Sequence, residues 1–342
     1  MRLVPLLALT LFACKAGTVE TDDDTGTSGA DTGGGGDDTS GGDDTSGGGD
    51  DTSGGDDTSD REPVAELAPL SSGECPDMSR SNTDTFLSSG TERKFTTIIP
   101  LGGGDDASVV VFFHGLTSPD ASPEPTVEMA ELLDLQSLAD ATNTIILLPE
   151  APLRDAFGTQ FYLWDVEQAG DADLVLFDDL RSCVAEAWAV DLWRFSAMGF
   201  SSGALFTTIV ASNRADTLAT FVEMSGGSDI DVILFDEPIS RWDTPARVLP
   251  GLLFSGGAND VWPNTSFKVV DFVAATDTLE QKLIDGGHEV VRCSHDSGHT
   301  ITQEEYSLTL RWLAAHTFGE PSPFATEGLG DDADWCVGTF PQ

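Results

Sequence analysis

Short runs rich in apolar and β-prone residues recur along the chain, separated by polar and glycine-rich stretches. These runs cover residues 108–113, 144–148, 192–198, 252–255 and 288–293. Such runs, without polar alternation, are typical of strands that are buried on both faces of a sheet. Helices are predicted at residues 131–139 and 178–188, and a capping box of Thr302 and Glu305 opens a last helix. Strands alternating with helices predict an α/β fold in which helices cover both faces of one mostly parallel sheet.

A pattern typical of a catalytic serine follows the run at 192–198. The sequence continues as Gly199-Phe200-Ser201-Ser202-Gly203 and then as an apolar stretch, 204–211, which can form a buried helix. Strand, Gly-x-Ser-x-Gly and helix together form a nucleophile elbow. So tight a turn strains the backbone of Ser201, and a side chain at position 199 or 203 would collide with neighbouring elements. We therefore predict Ser201 as the nucleophile.

The last predicted strand leads to the candidate bases. His295 and His299 lie in the same loop after residues 288–293. Gly298 gives His299 a free backbone and the helix start at Thr302 follows, which favours His299 as the base. His295 is the alternative.

The candidate acid lies beyond the strand at 252–255. Counted from Gly257, the acidic position of the turn is Asp260, whereas counted from Gly256 it is Asn259. An amide would orient an imidazole poorly and could not stabilise its charged form, so the chemistry favours Asp260. Serine, acid and histidine then follow in the chain order of α/β-hydrolases.

Two backbone N–H groups are candidates for an oxyanion hole. The strand at 108–113 ends in His114-Gly115-Leu116-Thr117, and a loop after an early strand supplies one such donor in α/β-hydrolases. Leu116 is the predicted donor there, and Ser202 is the predicted donor beside the nucleophile. We expect His114 to hold its loop by hydrogen bonds.

Two loops without clear periodicity, 150–170 and 226–250, are predicted to roof the site. Trp164 and Trp262 are the predicted substrate-binding residues, and Trp242 is a further candidate for the wall of the site.

From about Cys75 to Gln342 the chain resembles the secreted esterases that are grouped with polyhydroxybutyrate depolymerases and feruloyl esterases, within the α/β-hydrolase fold. The resemblance implies a carboxylic ester hydrolase with Ser201 as nucleophile and His299 as base. Lipase, phospholipase or peptidase activity on the same triad is an alternative, as is a catalytically degenerate surface-binding lipoprotein. The family usually has His-Gly before its acidic turn, where this chain has Ser255-Gly256. The segments that carry the resemblance are His114-Gly115, Trp164-Asp165, 173–180, 193–203 and 297–300.

The N-terminus predicts export. A positive start and an apolar run at 3–12 end in Leu11-Phe12-Ala13-Cys14, which resembles a bacterial lipoprotein signal, with residues 1–13 removed and Cys14 lipidated. Lys15 stands where an inner-membrane retention signal has aspartate, so we expect the outer membrane; a secreted protein is the alternative. Residues 14–62 read as a disordered tether rich in Asp, Gly, Ser and Thr, followed by one catalytic domain at 63–342.

Charge and cysteine content limit the partners. The net charge of −43 argues against nucleic acid and fits an exported soluble enzyme. We expect a monomer that binds an ester substrate and contacts the membrane only through its lipid anchor. No metal or organic cofactor is expected, because the chain supplies nucleophile, base and oxyanion donors and shows no metal-ligand spacing. Export also favours two disulfides among four cysteines, with three possible connectivities: Cys75, Cys183, Cys293 and Cys336.

Overall fold

A nine-stranded sheet forms the centre of the domain. The computed structural model describes residues 62–156, 158–232, 235–263 and 268–341. The strands are β1 (Asn82–Ser88), β2 (Thr91–Ile98), β3 (Ser108–Phe113), β4 (Thr144–Pro149), β5 (Leu153–Ala156), β6 (Thr159–Tyr162), β7 (Phe195–Phe200), β8 (Phe221–Met224), β9 (Gly251–Ser255), β10 (Val261–Trp262), β11 (Val270–Asp271), β12 (Val290–Ser294) and β13 (Cys336–Thr339). The helices are α1 (Pro125–Leu132), α2 (Leu135–Thr142), α3 (Ala172–Ala187), α4 (Ser202–Asn213), α5 (Phe272–Asp285), α6 (Gln303–Ala315) and α7 (Phe324–Glu327).

The strand order is β1-β2-β4-β3-β7-β8-β9-β12-β13. Neighbours from β4 to β12 pair in parallel, whereas β1 and β2 at one edge and β13 at the other pair antiparallel with their neighbours. The predicted mostly parallel sheet is therefore confirmed. The hairpins β5–β6 and β10–β11 lie outside this sheet.

Side-chain alternation along the central strands builds a core on each face. In β3, Val109, Val111 and Phe113 pack into one cluster with residues of α3, α4 and α5. Val110 and Phe112 pack into a second cluster with residues of α2 and α6. Because both faces of the sheet are covered, apolar and polar residues do not alternate along β3. This continuous apolar run is the pattern from which the strand was predicted.

Several predicted boundaries are wrong. The run at 192–198 begins as a short 3₁₀ turn, because the Asp191 side chain accepts a hydrogen bond from the backbone N–H of Trp193, and β7 starts only at Phe195. The helix predicted at 131–139 is two helices, since Asp134 adopts a left-handed conformation (φ 46°) between α1 and α2. The helix predicted at 178–188 starts earlier, at Ala172.

The predicted capping box forms where it was expected, and the predicted loop at 150–170 contains an additional hairpin. The capping box forms, with both of its hydrogen bonds, at the start of α6. The loop predicted at 150–170 contains the β5–β6 hairpin, and an isolated bridge joins Tyr162 to Thr117 beside the predicted oxyanion loop.

The extended segment before β1, which includes residues 65–71, is hydrogen-bonded to side chains of α3. The Arg181 guanidinium donates to the backbone oxygen of Ala65 at 2.7 Å. Farther along, the backbone N–H and hydroxyl of Ser71 donate to the two carboxylate oxygens of Asp179, at 2.9 and 2.5 Å. The segment therefore belongs to the same compact unit as the central sheet.

Two disulfides resolve the connectivity that the sequence left open. Cys75 pairs with Cys183 on α3, and Cys293 of β12 pairs with Cys336 of β13. The first disulfide joins the N-terminal segment to α3, and the second joins an edge strand to its neighbour.

The predicted signal peptide at residues 1–13, the predicted lipidation site Cys14 and the predicted tether up to residue 61 lie outside the described residues. Within the described ranges, every helix is too short or too polar to cross a membrane.

Candidate active site

Three loops meet at the carboxyl ends of parallel strands. Ser201 follows β7, Asp260 lies beyond β9, and His299 lies beyond β12. His299 Nε2 is 2.8 Å from Ser201 Oγ, and His299 Nδ1 is 2.7 Å from Asp260 Oδ1. The structure thus brings together the three residues that the sequence analysis selected, although they are far apart along the chain.

The turn at Ser201 has the strained geometry of an elbow. Ser201 has φ 56° and ψ −123°, an uncommon conformation for a residue with a side chain, and its N–H donates to the Met224 carbonyl at 3.0 Å. A Cβ atom at Gly199 would overlap the carbonyl group of Gly203, and one at Gly203 would overlap that of Phe113. Both glycines are required by close backbone contacts, so the serine hydroxyl is held at the tip of the turn.

Asp260 is completely buried and has a donor for each carboxylate oxygen. Oδ1 accepts from His299, while Oδ2 accepts from the Ser225 hydroxyl at 3.0 Å and from the Gly256 N–H at 2.8 Å. Asn259, the alternative acid, makes no hydrogen bond with His299 in the described part of the chain. Ser225 has no motif in the sequence that marks it, and its φ of 55° turns the chain so that its hydroxyl reaches the acid.

The acid turn and the histidine loop pack directly against each other. Gly298 N–H donates to the Gly256 carbonyl at 2.9 Å, and a Cβ at Gly256 would overlap the backbone of Gly298. This contact explains the glycine in Ser255-Gly256 and fixes the distance between acid and base.

His295, the alternative base, contacts its own loop and helix α6 rather than Ser201. Its Nδ1 accepts from the Ser297 N–H at 3.0 Å, and its Nε2 is 3.2 Å from the buried carboxylate of Glu305. Burial lowers the pKa of His295, but the close contact with the Glu305 carboxylate and its charge outweigh burial and raise the pKa overall. His295 therefore ties the loop to the start of α6.

His114 is buried and neutral. The Ala151 N–H donates to its Nε2 at 3.1 Å, so its Nδ1 carries the proton and donates to the Gly115 carbonyl at 2.7 Å. Burial lowers the pKa of His114 to about 4, against a smaller opposing effect of that hydrogen bond. These bonds hold the loop that carries Leu116.

The backbone near Ser201 can supply oxyanion donors. Ser202 is the first residue of α4, so its N–H has no carbonyl partner within the helix. Gly115 packs on the elbow, where an added Cβ would lie 3.2 Å from the Ser201 Cβ. The loop with Leu116 thus lies beside Ser201, and the donor roles of Leu116 and Ser202 stay predictions.

Trp164 does not line an open site, and this prediction is wrong. The residue is 1 % exposed, its ring stacks on Phe206 with centroids 5.2 Å apart, and its indole N–H donates to the His114 carbonyl. Packing against α4 decides its burial. Trp242 is also buried, whereas Trp262 is half-buried in β10, two residues after Asp260.

A buried carboxyl group lies behind the elbow. Glu223 on β8 is fully buried; its Oε1 is 2.5 Å from the Thr208 hydroxyl, and its Oε2 accepts from the Gly227 N–H at 2.8 Å. Burial raises its pKa from 4.5 to about 8, although both hydrogen bonds lower it. The protein thus holds this group protonated at neutral pH.

This carboxyl makes stability depend on pH in a defined direction. Between pH 4.5 and about 8 folded Glu223 keeps a proton that the unfolded chain has lost. The stability that Glu223 contributes to the folded state is therefore fully present below pH 4.5 and is lost as pH rises through about 8. In denaturant titrations, wild-type unfolding free energy should therefore fall between pH 4.5 and about 8, and Glu223→Gln should remove the part of that slope that comes from Glu223. Glu92→Gln, at an exposed position, should keep the wild-type slope; an equal slope in Glu223→Gln would contradict the assignment.

No protein-family model and no curated protein matches the chain. Solved structures are similar to it. The structure titled pOPH Native is 18% identical, covers 79% of this chain and 97% of its own, and has a TM-score of 0.59. The structure titled sOPH Native is 15% identical, with coverage of 78% and 96% and a TM-score of 0.60. A ferulic acid esterase is 14% identical, with coverage of 69% and 97% and a TM-score of 0.50. With the sheet order described above, these similarities show that the chain has an α/β-hydrolase fold.

Proposed function

We propose that this protein is a serine hydrolase that cleaves carboxylic esters through an acyl-enzyme. The observation that carries the proposal is the continuous hydrogen-bonded series from Ser201 through His299 to Asp260 at the tip of a strained elbow. A strained serine with a base at 2.8 Å is typical of an activated nucleophile.

In the proposed reaction, His299 Nε2 takes the proton of Ser201 as Oγ attacks the ester carbonyl carbon. The backbone N–H groups of Ser202 and Leu116 stabilise the oxygen that becomes negative. His299 then gives its proton to the leaving alcohol, which leaves an ester between the acyl group and Ser201. Water, deprotonated by His299, hydrolyses this ester and restores the hydroxyl. Asp260 holds the Nδ1–H and stabilises the imidazolium formed in both steps.

The ferulic acid esterase among the similar structures supports ester cleavage over other acyl transfers, and a fold alone does not choose the substrate. Purified protein should hydrolyse short-chain aryl esters. Parallel assays with methyl ferulate, 3-hydroxybutyrate oligomers, a phospholipid and a peptide amide identify the preferred class. Absence of hydrolysis of every ester would favour a degenerate binding protein and overturn the proposal.

We also propose that the enzyme is an outer-membrane lipoprotein. The support is the sequence around Cys14, with its short positive start and apolar run. Expressed with its own signal in a bacterium, the protein should fractionate with membranes and incorporate labelled palmitate. Cys14→Ala should abolish that incorporation. Incorporation that survives the substitution would contradict lipidation at Cys14.

A further inference from the structure

The imidazole of His299 lies between two phenylalanine rings. The Phe272 ring is parallel to it, with centroids 4.4 Å apart and planes inclined by 12°. On the other face, the Phe200 ring lies at 4.9 Å and 26°. Both phenylalanines are buried, at 2 % and 6 % exposure, so neither ring can turn away into solvent.

The two rings come from different elements, and each phenylalanine is joined to a residue of the proposed triad, one by the chain and the other by a backbone hydrogen bond. Phe200 ends β7 and directly precedes Ser201, while Phe272 is the first residue of α5. The Phe272 backbone N–H donates to the Asp260 carbonyl at 3.0 Å. Phe272 thus contacts the imidazole ring through its side chain and the acid through its backbone, so one residue fixes both.

This arrangement has an electrostatic consequence. The face of an aromatic ring is negative, and a cation within about 6 Å of its centroid is attracted to it, more strongly when water is excluded. A general base takes a proton in its neutral form, so in the proposed reaction His299 becomes a cation as it takes the serine proton. Rings on its faces therefore stabilise the state that forms in the transition state more than the state before it.

We propose that Phe272 is a positioning residue that keeps the imidazole in line with Asp260 and Ser201 and stabilises its cation. The inference rests on the proposed function, because it assigns His299 the role of base. Charged and titratable groups on the elements around the ring remain the same in a Phe272 variant; they are Asp260, Asp271, Arg292, His295, Asp296 and Glu305.

The test compares Phe272→Leu with the wild type on a short-chain aryl ester. We expect kcat to fall about tenfold with KM nearly unchanged, because an interaction of the transition state is lost. The acid limb of the kcat/KM profile should move about half a pH unit or more toward lower pH, since the cation is less stable. A role in packing alone would lower activity without moving that limb.

Three further variants complete the test. Phe272→Tyr keeps an aromatic face and should restore the acid limb relative to Phe272→Leu. Phe200→Leu removes the aromatic ring on the other side of the imidazole and should move the acid limb in the same direction. This second variant tests the inference if Phe272→Leu does not fold. Phe324→Leu is the matched control, because Phe324 also begins a helix and stacks on an aromatic ring, Trp312, but in the other core. It should leave the profile unchanged.

The outcomes separate this inference from the proposed function. A wild-type protein that cleaves no ester overturns the proposed function. If the wild type cleaves esters but the acid limb of folded Phe272→Leu or Phe200→Leu stays in place, the inference on the rings alone fails.

Discussion

Ser201→Ala is expected to lower kcat/KM toward aryl esters by about a millionfold, leaving the smaller acceleration that substrate binding and the backbone donors support. The substitution removes the oxygen that lies 2.8 Å from His299 Nε2 and leaves the base without a proton to accept. The elbow itself should survive, because the close contacts that require it involve Gly199 and Gly203 rather than the serine side chain. The thermal unfolding midpoint should therefore stay near that of the wild type.

Ser202→Ala is the matched control for this loss. Its hydroxyl is buried without a hydrogen-bond partner among the described residues, while its backbone N–H, the predicted oxyanion donor, is kept. We expect a decrease of less than about tenfold. A comparable loss in both variants would mean that the elbow geometry, and not the Ser201 hydroxyl, limits the reaction.

Asp260→Asn should lower kcat by about ten thousandfold while the protein remains folded. The amide can present its NH₂ group to His299 Nδ1, which then no longer carries the proton and leaves Nε2 protonated and unable to act as base. The loss of negative charge also removes the stabilisation of the imidazolium. Assays of kcat on an aryl ester, together with an unfolding curve, measure both effects.

Asn259→Ala provides the contrast, because Asn259 is the neighbour that the alternative alignment of the turn selects. Its side chain makes no hydrogen bond with His299 in the described ranges, so we expect a much smaller change. A reversed result, with the larger loss in Asn259→Ala, would require the acid to be reassigned.

Ser201 and His299, the proposed nucleophile and base, could be selected from the sequence because local sequence carries their signals. Ser201 has a strand before it, a helix after it and glycines where side chains cannot fit, and these constraints lie within a dozen residues. A preceding glycine and the helix start that follows at Thr302 were sufficient to rank His299 above His295. For Asp260, the one-residue ambiguity in the turn needed the fold, in which Gly256 packs on Gly298 and places Asp260, not Asn259, beside the imidazole.

Residues that act through long-range packing could not be predicted. Ser225 and Phe272 support the acid and the base from separate parts of the chain, and neither belongs to a motif. Trp164 was assigned to the site because its loop is aromatic, but its ring stacks on Phe206 in the core. The break between α1 and α2 likewise depends on the left-handed conformation of one residue, Asp134.

The most direct test of the central claim is covalent labelling by a fluorophosphonate, followed by peptide mapping with mass spectrometry. We expect a single adduct on Ser201 in the wild type, slow labelling of His299→Ala and no labelling of Ser201→Ala. An adduct on another residue, or labelling of Ser201→Ala at the wild-type rate, would contradict the central claim.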